Sequence, residues 1–263
     1  MNEYHKIQTI YLRDPETKFK RLLIGQYAHP AFEYLAQNQW VFTEKVDGTN
    51  IRVMLPPQDV QFSKMKGVSF GGRTDEAQIP AMLVKRLEER FHAEDTLIKL
   101  AEMFPEGNAC LYGEGYGAKI QKGGGNYRAD QDFVLFDVKV GDFWLERHNV
   151  EDVSGKLGLD VVPIIGKGPL CDMVDKTYSG FNFTWGGFLA EGLGARRLNC
   201  LDDGVIGAAL HVHAGDQRAF LGEAADDRLA QAHRRAGDDH GLSLQAGARL
   251  HGNSFVAELS SLH

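Results

Sequence analysis

Lys45, Asp47 and Asn50 fall within one short stretch, Glu-Lys-Val-Asp-Gly-Thr-Asn-Ile-Arg-Val (44–53). A lysine set two residues before an Asp-Gly turn invites a chemical question, because a buried ammonium is costly unless it is paired or used. The lysine amine ordinarily has a pKa of about 10.4 and is a poor nucleophile at neutral pH. Burial and neighbouring charges can free it to attack an electrophile such as the α-phosphorus of a nucleotide, giving a phosphoramidate. Gly48 would let the backbone turn tightly beside a ligand. Asn50 could hydrogen-bond a ribose hydroxyl or a phosphate. The same string also describes an Asp-Gly hairpin bearing a surface lysine.

Further acids and aromatics sit at the ends of apolar runs. Glu114 closes Ala-Cys-Leu-Tyr-Gly-Glu (109–114), where a lone carboxylate needs donors; a ribose diol would supply two, and so would solvent. Phe136 precedes Asp137 in Phe-Val-Leu-Phe-Asp-Val (133–138) and by its alternation reads as a core phenylalanine. Glu191, in Ala-Glu-Gly-Leu (190–193), could hold Mg²⁺ through oxygen. The stretch 116–128, Tyr-Gly-Ala-Lys-Ile-Gln-Lys-Gly-Gly-Gly-Asn-Tyr-Arg, lacks the spacing of a P-loop or a dinucleotide fingerprint. Its Lys119, Lys122 and Arg128, with Tyr116 and Tyr127, suit a loop touching a phosphodiester backbone, or a solvated flexible loop. His211-Val212-His213 could present two imidazoles on one strand face, without an evident third ligand.

The elements that must carry these residues follow from patterning. Residues 40–55 read as a hairpin about Asp47-Gly48. Pro80 suits a first helical position, and 81–104 read as a helix or helix pair, with Leu83, Leu87 and Phe91 at four-residue spacing. Strands are expected at 109–114, at 132–146 as a pair about Gly141-Asp142, at 159–165 and at 187–193. Strands outnumber helices and several pair locally, so the expected class is α+β with antiparallel sheet.

The bulk numbers set limits. The chain has 263 residues, 43% hydrophobic and 25% charged, with a net charge of -7. That charge argues against nucleic-acid binding by bulk positive charge and leaves room for a local basic patch. No run is long and apolar enough to span a membrane, and the N-terminus has no signal-peptide pattern, so a cytoplasmic protein is expected. The three cysteines, Cys110, Cys171 and Cys200, form no pair motif and read as buried reduced thiols. Residues 1–176 hold 14 lysines and residues 177–263 none; the tail is rich in Ala, Gly, Arg, His and Asp. It reads as a divergent extension, poorly packed and helical or else disordered.

The motifs together resemble the covalent nucleotidyltransferases, the superfamily of polynucleotide ligases and mRNA capping enzymes. Lys-x-Asp-Gly-Thr-Asn is most similar to the RNA ligase 2 branch, and four further segments fall in the family's order. These are Gly-Gly-Arg-Thr-Asp-Glu-Ala-Gln-Ile-Pro (71–80), Leu-Tyr-Gly-Glu-Gly-Tyr-Gly (111–117), Phe-Val-Leu-Phe-Asp-Val and Ala-Glu-Gly-Leu. The resemblance covers about residues 5–193. It implies a nucleotidyltransferase fold of antiparallel sheets and flanking helices, with an adenylylation domain over 1–195 and a divergent or frame-altered tail over 196–263. It also implies an ATP-dependent RNA ligase that joins 5′-phosphate and 3′-hydroxyl RNA ends with Mg²⁺; the sequence does not fix the oligomeric state, and a monomer is favoured. Lys45 would be the nucleophile. Glu44, Asp47, Asn50, Arg73, Glu114, Phe136 and Glu191 would surround the nucleotide, Glu191 would meet the metal, and Lys119, Lys122 and Arg128 would meet RNA. The resemblance breaks at the family's closing strand, which carries Lys-x-Lys. Arg196-Arg197 come early for that place. A reading-frame change near residue 194 would remove the strand; a tail whose arginines take over is the alternative. A catalytically impaired nucleotide- or RNA-binding remnant is the competing function. A capping guanylyltransferase would usually carry arginine where Asn50 stands; a DNA ligase is disfavoured on the same ground, and no convincing OB domain follows.

Overall fold

The computed structural model describes residues 3–5, 7–57, 67–197 and 207–211, the last segment and Arg197 as backbone only. In chain order the first elements are β1 (Gln8–Thr9), β2 (Tyr11–Arg13), β3 (Leu22–Tyr27), α1 (Pro30–Tyr34), β4 (Trp40–Glu44), β5 (Thr49–Leu55) and β6 (Ser69–Gly71). The middle of the chain forms α2 (Ala81–Phe91), α3 (Glu94–Met103), β7 (Ala109–Gly117), α4 (Gly124–Tyr127), β8 (Gln131–Val140) and β9 (Phe143–Trp144). Then come α5 (Arg147–Leu157), β10 (Asp160–Val161), β11 (Ile164–Gly168), α6 (Leu170–Ser179), β12 (Gly192–Arg197) and β13 (Gly207–His211).

Two sheets carry the architecture. A six-stranded sheet runs β10-β8-β7-β5-β6 with β9 on β8; a five-stranded sheet runs β1-β13-β12-β4-β11. β2 and β3 form a separate ribbon. Pairing is antiparallel except for β1 with β13 and β10 with β8, as the expected α+β class requires.

One face of the six-stranded sheet is covered by helices. Ile51, Val53 and Leu55 alternate along β5 and meet Leu83, Leu87 and Phe91 of α2, Leu100 of α3, and Val150, Val153 and Leu157 of α5. The helix pair stands where its four-residue spacing indicates, with Pro80 at the cap position, one residue before the first helical turn. α5 and α6 were not expected, although each carries the signal: Val150, Val153 and Leu157, and Leu170, Met173, Val174 and Thr177, are buried at helical spacing.

Three expectations are corrected. Residues 40–55 are not a hairpin: β4 pairs β11 and β12, whereas β5 pairs β6 and β7, so Val46-Asp47-Gly48 carries the chain from one sheet to the other. An Asp-Gly signal marks a change of direction, and only long-range pairing decides whether the flanking strands meet. The segments 159–165 and 187–193 are displaced likewise: β10 and β11 join different sheets, and the late strand begins at Gly192. Cys110 is buried, but Cys171 is exposed on α6, because the buried stripe there is Leu170, Met173, Val174, Thr177 and Tyr178.

β13 lies in the stretch expected as a divergent tail and is hydrogen-bonded to β12. Cys200 and most of that stretch, Val212 and His213 included, lie outside the described residues. No helix among the described residues is long and apolar enough to cross a membrane.

Candidate active site

The site lies where β4 ends, β5 begins, and β7, β8 and β12 supply facing side chains. Lys45 follows β4 directly, and its N–H donates to the carbonyl of Gly192 at 3.0 Å. That bond places the residue after Glu191 beside the lysine backbone. The side chains meet as well: Lys45 Nζ donates to Glu191 Oε2 at 2.6 Å, with the two side chains 32% and 24% exposed. The amine is thus accessible and fixed, rather than sealed in a core.

Asn50 and Glu114 are register partners across β5 and β7. Asn50 Oδ1 is buried with no hydrogen-bond partner. A buried acceptor left unsatisfied costs about 1–3 kcal/mol, so it marks a place where a donor from a ligand would be gained. Glu114 carries a large electrostatic perturbation. Burial pushes its carboxyl up to about 8; Lys45 and the Gly48 N–H oppose the rise, and the carboxylates of Glu191 and Asp47 add to it. Three acids and one lysine therefore feel one another here. Glu114 is therefore mostly protonated at neutral pH, so it can both donate to and accept from a sugar diol.

This yields a pH prediction. Between its ordinary value near 4.5 and about 8, Glu114 keeps a proton in the folded protein that the unfolded chain has lost. Stability therefore falls as pH rises through that window. In Glu114→Gln the titration is gone, so the melting temperature of the ligand-free variant should change less between pH 5 and pH 8 than that of the parent. Parallel melting curves against pH would show that Glu114 titrates normally.

The turn is held from outside by the loop after β7. Tyr127 Oη accepts from the Asp47 N–H at 3.1 Å, and Gln121 Nε2 donates to the Gly48 carbonyl at 2.9 Å. Gly48 is tightly enclosed: a Cβ there would lie 2.2 Å from the Gly115 carbonyl oxygen and 2.9 Å from Glu114 Cγ. Glu44 is 2% exposed. Its Oε1 accepts from the Thr184 N–H at 2.8 Å, its Oε2 has no partner, and burial raises its pKa.

Phe136 reaches the site through a bulge. Tyr112 pairs with Asp137 and Gly113 with Leu135, leaving Phe136 as the extra residue of β8. Leu135 and Val138 stay in the helix-covered core, whereas Phe136 packs against the second cluster, with Val46, Val134 and Phe183. Regular alternation would have put 135 and 137 on one face; the bulge turns Phe136 and Asp137 away from the helices together. Asp137 accepts from Tyr4 Oη at 2.6 Å and from Arg196 Nη1. Tyr4 sets its ring edge-on to Phe136 at 5.0 Å. Arg196, a candidate substitute for the missing lysines, is thereby paired with Asp137.

The other expected residues are more dispersed. Arg73 is exposed in the turn after β6. Its flanks are pinned by Arg52, which is fully buried and donates to the Gly72 carbonyl at 2.8 Å and to Asp75 at 2.7 Å. Lys119 and Lys122 are exposed on the loop that reaches Gly48. Arg128 is ion-paired with Asp130 and Asp132. Tyr116 and Tyr127 depart from their expected role as base platforms: Tyr116 is 4% exposed, and the Tyr127 ring packs edge-on to Phe183 at 4.4 Å. Arg52, Gln121, Thr184 and Tyr4 were not singled out in the sequence. No short motif surrounds them; only a charge inside the apolar run of β5 could have drawn attention to Arg52.

Among the described residues no group of three His, Cys, Asp or Glu side chains is arranged to hold a metal ion.

The family model for RNA ligase matches residues 38–199. Comparison with curated proteins gave no match. Among solved structures, the chain is similar to variants of Naegleria gruberi RNA ligase. One with ATP and Mn gives a TM-score of 0.53 at 21% identity, over 75% of this chain and 54% of that one. A second with ATP and Mn gives 0.57 at 17% identity, over 83% and 58%. A third with AMP and Mn gives 0.52 at 19% identity, over 74% and 54%. The chain therefore spans a little over half the length of the structures it matches, and the likeness is one of fold.

Proposed function

Because the chain belongs to the RNA ligase family, we propose that it is an ATP-dependent enzyme joining 5′-phosphate and 3′-hydroxyl RNA ends. Lys45 Nζ attacks the α-phosphorus of ATP, a P–N bond forms, and pyrophosphate leaves. The amine must lose a proton first, and Glu191 Oε2, 2.6 Å away, is positioned to accept it. The adenylyl group then passes to an RNA 5′-phosphate, and a 3′-hydroxyl displaces AMP to seal the strand. The observation that carries this reading is the convergence of Lys45, Asp47, Glu114 and Glu191 about one turn.

The site's own groups fit a nucleotide. The unpartnered Asn50 Oδ1 and the protonated Glu114 suit ribose hydroxyls. Phe136, freed from the core by its bulge, suits the base. Arg73 extends from a turn pinned by Arg52 toward solvent, where phosphates would enter. Lys119 and Lys122 would meet the RNA. The similar Naegleria gruberi structures hold ATP or AMP with manganese, which supports ATP and a divalent ion here. A magnesium ion typically uses one or two carboxylates together with substrate phosphates; Glu191 fits as such a ligand, and the ion would neutralise phosphate charge.

The competing reading, a binding remnant, rests on one observation: no lysine follows Lys176, and β13 carries Gly-Ala-Ala-Leu-His. Incubation with α-labelled ATP and Mg²⁺ separates the two. The ligase retains label through denaturation, whereas a remnant binds ATP and loses it. Label from GTP but not ATP would overturn the choice of nucleotide.

A further inference from the structure

Away from the lysine turn, three guanidinium groups converge on one carboxylate oxygen. Asp132 Oδ2 accepts from Arg128 Nη1 at 2.8 Å, Arg86 Nη2 at 3.1 Å and Arg90 Nη2 at 3.3 Å. Asp132 is 3% exposed, and its other oxygen accepts from the Phe133 N–H at 2.9 Å. Arg128 is also paired with Asp130. Three positive charges thus face two negative ones, in a protein whose net charge is -7. Acceptors are short as well as charge: each guanidinium has five N–H donors, one oxygen of Asp132 serves all three, and Arg86 Nε is buried with no partner. Like charges held this close favour an added anion, and guanidinium forks match phosphate oxygens.

The surroundings fit a nucleic-acid strand. The Arg86 side chain is 37% exposed on α2. The Arg128 guanidinium lies 5.7 Å from the centre of the Tyr116 ring. Trp185, 39% exposed, stands 6.1 Å beyond Tyr116. A basic cluster beside an accessible aromatic is the combination that tracks single-stranded backbones and stacks their bases. Arg128 follows Tyr127, whose hydroxyl accepts from the Asp47 N–H, so the loop that carries Arg128 also touches the lysine turn.

We infer that Arg86 and Arg90, with Arg128, form a phosphate cradle for the RNA strand being joined. The inference rests on the RNA ligase reading for the identity of its ligand. Arg86→Gln/Arg90→Gln tests it. Binding of a 5′-phosphorylated RNA oligonucleotide, single-stranded and as a nicked duplex, is followed against salt, and lysine labelling by ATP is measured alongside. RNA affinity should fall about tenfold for at least one RNA, with the salt slope shallower by about 1, while labelling stays within about twofold. Arg86→Lys/Arg90→Lys should recover the slope but only part of the affinity, because the fork is lost. Unchanged affinity and slope for both RNAs would overturn the inference, as would a loss confined to ATP labelling. If the double variant melts early, the more exposed Arg86→Gln alone decides by the same two readings. Failure of the parent to label with ATP would instead count against the ligase reading, and the RNA-binding arm would still judge the cradle.

Discussion

Lys45→Ala is expected to abolish covalent labelling by ATP, a loss of at least about a thousandfold, because no other group of the site can form the P–N bond. Lys45→Arg should be equally inactive. Its guanidinium keeps a positive charge near Glu191 and can still pair with it, but it does not give up a proton near neutral pH. The pair of variants thus separates nucleophilic chemistry from electrostatics. The alanine variant leaves Asp47, Glu114 and Glu191 without their lysine and should also be less stable near neutral pH; the arginine variant should keep most of that stability. Label retained in Lys45→Arg would assign the nucleophile to another residue. A variant given RNA already carrying a 5′-adenylyl group should still seal it, because that step no longer needs the amine.

Gly48→Ala is expected to cost about a hundredfold in the rate of labelling, with Lys45 intact. The added methyl would collide with the Gly115 carbonyl oxygen at 2.2 Å, and that oxygen belongs to the backbone of a central strand. β7 is paired on both sides and cannot withdraw, so the displacement falls on the turn that follows Lys45. A shift of about 1 Å in a reacting group can cost about a hundredfold, and overpacking of this kind adds about 1–3 kcal/mol of destabilisation. The Gln121 and Tyr127 bonds to the turn would be strained by the same movement. Gly125→Ala is the control, since a Cβ there meets nothing within 4 Å; it should label at the parent rate. Equal rates for Gly48→Ala and the parent would mean that the turn adjusts without moving the amine.

The two variants also show how differently the site's parts were written into the chain. Lys45, Gly48, Asn50 and Glu114 stand out as candidates because their marks are local: a lysine beside a tight turn and polar groups at strand ends each show within a few residues. The helix pair 81–91 and 94–103 was legible for the same reason, since burial of one helix face repeats every three to four residues. Arg128 was legible only as a charge. Its ion pairs with Asp130 and Asp132, and the convergence of Arg86 and Arg90 on the same oxygen, join residues up to 46 positions apart. α5 and α6 carry the same helical spacing, in Val150, Val153 and Leu157 and in Leu170, Met173, Val174 and Thr177.

The sequence by itself determined the α+β class and the placing of a lysine, an Asp-Gly turn and polar strand-end groups close together in the chain, because short-range spacing and hydrophobic alternation encode them. Tertiary structure alone decided that β4 and β5 belong to different sheets, that a bulge turns Phe136 out of the helical core, and that Glu191 meets Lys45 across 146 positions. Those facts depend on which strands pair over long distances, and backbone hydrogen bonds are the same for every partner. The choice of partner is made by the packing of whole faces, which no short stretch of residues contains.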